Sequence, residues 1–337
     1  MSLTVLLNTE VTNVVELASG AIFCFDGNKA LQMSTNDGAS FSAVPGSSGI
    51  TCRTDSLVAN SLGEVVFGSI ATPPKIYYAT TSGTTQATGT LTNAATGINR
   101  ISADVSGSMW AVTDFDGNIY HSTDHGHSWT SKAVSYPGGS IGHVYAICET
   151  TYGLAVAGEI GDANISSDGG TTFVSWGLTH PSPAGNSDYH GNLWNIQQSP
   201  ITGSLFATIG DPFPPNPSAG TCQVHRNADG VGVWHHVNGM DNSGSNNISG
   251  FAFKGDGTIY MSSIYSVGPT GKVYQSTDDG ANWTEISATL GRSFVGTARI
   301  HLAPSGRLYI SDHVGLYRYT FGAGSSASNP MFFGGGV

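Results

Sequence analysis

Short runs in which apolar and polar residues alternate, each bounded by Gly, Asp, Asn or Ser, recur along the whole chain, and no stretch sustains a helical period. Arg100-Ile-Ser-Ala-Asp-Val reads as one strand and Ser108-Met-Trp-Ala-Val-Thr113 as the next. Asp116-Gly117 between them and Asn118-Ile-Tyr-His-Ser122 is a hairpin signal, because that pair tolerates the positive φ a two-residue turn needs. Trp129 to Val134 completes a run of four strands.

The segment that joins the third strand to the fourth is one phrase in four copies: Ser34-Thr-Asn-Asp37-Gly38-Ala-Ser-Phe41, Ser122-Thr-Asp-His-Gly126-His-Ser-Trp129, Ser166-Ser-Asp-Gly-Gly170-Thr-Thr-Phe173 and Ser276-Thr-Asp-Asp-Gly280-Ala-Asn-Trp283. Ser34 and Ser122 stand 88 residues apart, twice the 44 that separate Ser122 from Ser166, and Ser276 follows Ser166 after 110. Both wide gaps therefore predict a decayed copy, and Ala79-Thr-Thr-Ser-Gly83 and Arg226-Asn-Ala-Asp-Gly230 lie where they are due, with a last remnant at Arg318-Tyr-Thr-Phe-Gly322. Seven four-stranded units at this spacing predict an all-β fold, a seven-bladed β-propeller. The last unit supplies three strands, around Ala298–Leu302, Arg307–Ile310 and Gly315–Arg318, and Leu3–Leu7 is expected to add the fourth and close the ring without an open sheet edge. Residues 1–322 are thus read as one domain and 323–337 as a Gly/Ser-rich tail, a flexible extension or a docking peptide for a protein partner.

Each repeated phrase has a physical logic. Gly takes the unusual turn conformation without a Cβ penalty, the Ser hydroxyl and Asp carboxylate bond backbone N–H groups, and the aromatic residue buries against the neighbouring blade. The phrase resembles the Asp box of sialidase-type (BNR repeat) propellers, with Ser34, Asp37, Gly38 and Phe41, Ser122, Asp124, Gly126 and Trp129, Ser166, Asp168, Gly170 and Phe173, and Ser276, Asp278, Gly280 and Trp283 in the motif positions. The resemblance spans about Asn13 to Phe321 and implies a fold superfamily, in which these residues are scaffold, and no single activity.

Composition narrows the partners. Charged residues make up 10% of the chain, Gly is present 46 times, and the formal charge is −11 with only 12 Lys and Arg, so no basic stripe for nucleic acid is available. No apolar run approaches a membrane span, and the first residues lack the basic start and apolar length of a signal peptide. A neutral, hydroxyl-rich surface of this kind resembles the exposed proteins of phage virions, which places the expected location outside the cell or on a virion surface. Cys24, Cys52, Cys148 and Cys222 have no CxxC spacing and read as buried free thiols, with a Cys24–Cys52 disulfide as the alternative.

Candidate chemistry falls on the face that gathers the fourth-to-first and second-to-third strand loops, opposite the repeated phrase. The strand scheme sends Arg53, Asp55, Arg100, Asp114, His143, His180, Asp188, Tyr189, His190, Asp211, Asp241, Tyr265, Arg292, Asp312 and His313 there, together with two insertions, Thr179–Asn192 and Gly210–Cys222. Sialidase chemistry is disfavoured: Arg53 precedes Thr-Asp and Arg100 precedes Ile-Ser where an Arg-Ile-Pro signal belongs, and the units number seven, not six. A two-carboxylate glycosidase would draw on Asp55, Asp104, Asp188 and Asp211, and a lyase on His190 or His143 with Tyr189. His121, His125 and His127 crowd one repeated phrase but lie on the scaffold side, and Asp114-Phe-Asp116-Gly-Asn118 misplaces the Gly of a calcium loop, so neither a metal nor another cofactor is expected. Glycan binding needs aromatic faces beside neutral hydrogen-bonding groups. Arg53, Arg100, His143, Tyr189, Phe213, Tyr265 and Arg292 are the expected ligand contacts, with Phe294 nearby, and Asp55, Asp188, Tyr189, His190 and Asp211 the residues that would carry catalysis. The expected function is recognition of a glycan or glycosylated surface, the alternatives being a glycan-cleaving enzyme on the same scaffold and a structural interaction platform.

Overall fold

A computed structural model describes residues 2–83, 85–91, 97–104, 106–113, 118–136, 143–158, 163–178, 192–210, 223–230, 234–237, 246–265, 270–295 and 299–321. They form seven antiparallel sheets, sequential meanders except that the outer strand of the seventh comes from the N-terminus and Phe294–Val295 adds to the third strand of the sixth. Blade 1 runs Val11–Glu16, Ile22–Asp26, Leu31–Ser34 and Ser42–Ala43. Blades 2 and 3 run Cys52–Ala59, Val65–Ser69, Lys75–Ala79, Thr85–Thr90 and Ile98–Ala103, Met109–Thr113, Asn118–Ser122, Thr130–Ala133. Blades 4 and 5 follow with Val144–Thr150, Gly153–Gly158, Ala163–Ser166, Val174–Ser175 and Asn192–Gln198, Leu205–Gly210, Gln223–Asn227, His235–His236. Blade 6 comprises Asn246–Phe253, Ile259–Tyr265, Thr270–Ser276 and Thr284–Glu285, and blade 7 Arg299–Leu302, Leu308–Asp312 and Gly315–Thr320. The N-terminal strand Ser2–Leu7 pairs antiparallel with Gly315–Thr320, so the chain closes its own ring as the sequence predicted.

The first strand of every blade contacts the first strand of the next, and blade 1 touches blade 7, which makes the arrangement a closed ring of seven blades. Because the meanders are antiparallel, the first-to-second and third-to-fourth turns emerge on one side, and the other connections on the opposite side. Blade faces are apolar and bury against each other: Phe23, Phe67, Val156, Phe206, Met261 and Ile310 are fully buried. Cys24, Cys52 and Cys148 are buried free thiols, so the disulfide alternative does not hold, and burial pushes Cys52 up to about 12 and Cys148 to about 11. Cys222 and the tail 323–337 lie outside the described residues.

The repeated turn has the same wiring in all four good copies. The serine hydroxyl accepts the glycine N–H at 2.8–2.9 Å, as in Gly38 to Ser34 and Gly280 to Ser276, and donates to the side chain two residues on. That acceptor is Asp124, Asp168 or Asp278, each of which also takes a backbone N–H four residues later, from Ser128, Thr172 and Asn282. In blade 1 the acceptor is Asn36, bonded by Ser34 and by the Ser40 N–H, and not Asp37. Asp37 instead takes the next position, where the backbone is left-handed (φ 60°), as it is at His125 and Asp279. Assigning Asp37 to the motif mistook the residue beside the acceptor for the acceptor.

These turns fasten each blade to the one before it. A Cβ on the turn glycine would lie 2.8 Å from Leu6 at Gly38, 2.5 Å from Ile119 at Gly170, 2.2 Å from Tyr152 at Gly230 and 2.3 Å from Phe206 at Gly280, each time against the preceding blade. The left-handed residue is clasped by polar side chains of that same blade. Arg307 and Arg318 meet the Asp37 carboxylate at 2.6 and 2.7 Å, and Thr202, Ser204 and Arg226 converge on Asp279. At the closing seam the buried Glu16 also accepts the Tyr309 hydroxyl and donates its N–H to His301, whose pKa burial holds down at about 4, so this imidazole is neutral.

Two outcomes follow from this wiring. Gly20 has positive φ and open space around it, so Gly20→Ala should cost about 1–2 kcal/mol of backbone strain. Gly170→Ala should cost about 2–5 kcal/mol, because overpacking against Ile119 and Leu154 adds to the same strain; denaturant midpoints of the two variants read the difference. Burial opposes ionisation of Asp124, but bonds from Ser128 and Ser122 outweigh it, while the Ser166 hydroxyl at Asp168 and the Asn282 amide at Asp278 lead in lowering those carboxyls. Folded pKa values below the ordinary value of 3.8 mean that the contribution is complete above it and lost as pH falls through the folded values. Since Asn36 already serves in blade 1, the triple Asp124→Asn, Asp168→Asn, Asp278→Asn variant should fold and show a shallower loss of thermal midpoint below about pH 4.

Candidate functional site

Six of the seven inner strands carry a register irregularity close to the end where the chain enters from the loop-rich side. In five of them a single residue bulges out: Thr12, Asn99, Tyr145, Trp194 and Ser249. A bulge re-aims one side chain out of the ladder and is favoured beside binding sites. It also puts chemically different residues at equivalent places around the axis, and blades 3 to 5 use this most.

Tyr145 of blade 4 and Trp194 of blade 5, both bulge residues, stack across their seam with centroids 4.4 Å apart, and His143 stacks on Tyr145 at 5.6 Å with the rings nearly parallel. All three are half-buried. Below them, the residues following the bulge are Arg100, Ala146 and Asn195 in blades 3, 4 and 5. Arg100 donates to the Asn195 side-chain oxygen at 3.0 Å, a bond between two blades that are not neighbours. Such a bond has to cross the axial channel in front of blade 4, whose equivalent residue, Ala146, is small. Arg100 is 3% exposed and Asn195 1%, so beside the half-buried aromatic stack lies a buried polar pair that serves as its floor. Asn99 ties the floor to blade 4 by donating to the Val144 carbonyl at 2.9 Å.

The structure thus brings two of the expected ligand contacts, Arg100 and His143, to one site, with Tyr145, Trp194 and Asn195 as members that strand alternation did not single out. Their signal was an apolar pair spaced by three instead of two: Ile98-Asn-Arg-Ile101, Val144-Tyr-Ala-Ile147 and Leu193-Trp-Asn-Ile196 share it. Arg292 goes elsewhere: its guanidinium lies 3.8 Å from the Tyr317 ring centroid and 3.7 Å from Asp312. Asp312 is fully buried and takes N–H groups from Val295, Val314 and Gly315, and Phe294 is buried against Tyr317, so this cluster pins a loop. His313 is half-exposed, 3.9 Å from Glu10. Asp104 accepts from Ser106 and Ser108 in a first-to-second strand turn, which removes it from the loop-rich face.

Arg53 and Asp55 fall in the inner strand of blade 2 and Tyr265 at the end of Ile259–Tyr265, but their side chains lie outside the described residues, as do Asp114, His180, Asp188, Tyr189, His190, Asp211, Phe213 and Asp241 altogether. No metal-holding group of His, Cys, Asp and Glu occurs among the described residues. The three crowded histidines have separate partners: His121 stacks on Trp110, His125 meets Ser61, and His127 meets Glu64 at 2.7 Å. No described helix is long and apolar enough to cross a membrane.

No protein-family model and no curated protein matches the chain. Solved structures do. YCF48 bound to a D1 peptide is 14% identical with a TM-score of 0.62, over 95% of this chain and 96% of that one. The GH74 xyloglucanase from Xanthomonas campestris is 13% identical with a TM-score of 0.64, over 94% of this chain and 53% of the enzyme. The extracellular domain of a hybrid two-component system from B. thetaiotaomicron is 14% identical with a TM-score of 0.67, over 94% of this chain and 38% of that domain. At such identities the likeness establishes the fold: this chain is a seven-bladed β-propeller, which alone spans about half or less of the enzyme and the receptor domain.

The polar floor makes its own prediction. Asn195→Leu removes one acceptor from a buried guanidinium and should lower stability by about 1–3 kcal/mol, whereas Asn195→Asp keeps that acceptor and should hold the wild-type thermal midpoint at neutral pH.

Proposed function

We propose that this chain is an Asp-box propeller that acts as a surface-exposed carbohydrate-recognition module, outside the cell or on a virion. The observation that carries the reading is the half-buried stack of His143, Tyr145 and Trp194 over the Arg100–Asn195 floor at the loop-rich end of the axial channel. Sugars offer one apolar face and a rim of hydroxyls, and this site offers half-buried ring surface to that face. The formal charge of −11 and the abundance of neutral polar residues suit such a ligand better than nucleic acid. Arg53, Phe213, Tyr265, Tyr189 and His190 extend the proposal to the surrounding loops, and Asp55, Asp188 and Asp211 remain the candidates for a glycan-cleaving variant of it.

A second reading, a protein-binding platform, is favoured by the YCF48 structure, a propeller of matching size bound to a peptide; residues 323–337 are the proposed docking segment. A glycan array run beside reducing-end assays on the same polysaccharides separates these readings. Recognition predicts retention without turnover, with Trp194→Ala lowering affinity about tenfold, the loss of one aromatic contact. New reducing ends would establish cleavage, and failure to retain any glycan would leave the protein platform.

A further inference from the structure

The blade seams repeat a second device on the opposite face. The residue after the first-to-second turn glycine and the second-strand partner on the third strand form a receptor pair facing the next blade. In blade 7 the pair is Arg307 and Arg318, in blade 5 Ser204 and Arg226, and register places each the same way: Tyr309 opposite Arg318, Phe206 opposite Arg226. Both pairs hold the carboxylate of a left-handed turn residue, Asp37 and Asp279. In blade 2 the pair is Glu64 and Tyr78, and the polarity is reversed: Glu64 bonds His127 of the next turn and Tyr78 stacks on it at 4.3 Å.

Blade 3 has the same pair, Ser108 and His121, with Trp110 opposite His121 in the same register. Ser108 and His121 bond each other at 2.9 Å, and Lys132, the neighbouring cation on that sheet face, donates to the Gly169 carbonyl. The left-handed residue of the next turn is Gly169 (φ 67°), which brings no side chain. Among the described residues, the only atom within 4 Å of a Cβ built there is the Lys132 ammonium nitrogen, at 3.5 Å. Ser108, His121 and Lys132 are all partly exposed. Of the nearby acids, Glu149 is bonded by the Trp110 indole N–H and Asp104 by its own turn.

We infer that the seam between blades 3 and 4 binds a carboxylate supplied from outside the chain, seated over Gly169 between Lys132, Ser108 and His121 where Asp37 and Asp279 sit in the other seams. A free small carboxylate and an acidic side chain of a protein partner share that chemistry. One partly exposed cation and the single donor that the Ser108–His121 bond leaves over imply binding in the roughly millimolar range.

The test follows the Trp110 indole and His121 ring resonances by NMR during titration with acetate, against chloride at matched ionic strength. Saturable shifts in the wild type that disappear in Lys132→Met and in Gly169→Asp are expected; shifts that fail to saturate, or persist in Lys132→Met, overturn the site. Fold integrity is read separately. Gly169→Asp should melt above Gly169→Asn at low salt, and Lys132→Met should abolish that difference; equal midpoints of the two Gly169 variants would also overturn it. An aspartyl peptide that saturates at lower concentration than acetate identifies the protein source, and equal concentrations identify the free carboxylate.

Discussion

The ring depends on how each blade's repeated turn seats in the preceding blade. A propeller blade is a small sheet whose apolar faces find cover only in its neighbours, so the seams carry the stability that a single core carries in other folds. Here a serine and an acceptor two residues on build a tight loop, a glycine at positive φ brings that loop into van der Waals contact with the blade before it, and in three of the four good copies (Asp37, His125 and Asp279) the residue between them offers a polar side chain to the preceding blade. Chain closure uses the same device: Gly38 packs on Leu6 of the N-terminal strand, and Asp37 is held by Arg307 and Arg318 of blade 7. The motif that is loudest in the sequence is therefore the fastening, and its acids are spent on the scaffold.

With one face committed to seams, the variation between blades lies at the other end of the strands. There the inner strands bulge, and the bulge converts a repeated position into a variable one. Between blades 3 and 5 it yields a ring stack beside a buried Arg–Asn bond that links two non-adjacent blades. Arg292, by contrast, lies on the same face but is committed to Tyr317 and Asp312, and in that position it stabilises the loop between blades 6 and 7.

Much of the architecture was legible because a repeat states it many times. Alternation located strands such as Asn118–Ser122 to the residue, and the 44-residue spacing gave the number of blades and the strand that closes them. The candidate site was legible only in part. Arg100 and His143 stood out because charged and imidazole groups near an inner-strand start are conspicuous, whereas nothing in the alternation singled out Tyr145 and Trp194, and the apolar spacing of three that marks their bulges was hidden within the alternating pattern. Asp37 shows the converse failure: adjacent Asn and Asp are interchangeable to the eye, and only the hydrogen bonds distinguish the acceptor Asn36 from the clasped Asp37.

By itself the sequence determined what is local or periodic: strands, turns, the count of units and the side on which the repeated turns lie, since these follow from backbone preferences and side-chain alternation within a few residues. Tertiary structure decided which side chains meet. Arg100 reaches Asn195 across 95 residues because a ring brings non-adjacent blades to a common axis, and Asp279 is held by Ser204 and Arg226 because the ring sets that pair on the blade beside it. Contacts between repeats depend on the closure of the whole ring, and no window of sequence shorter than the ring contains that information.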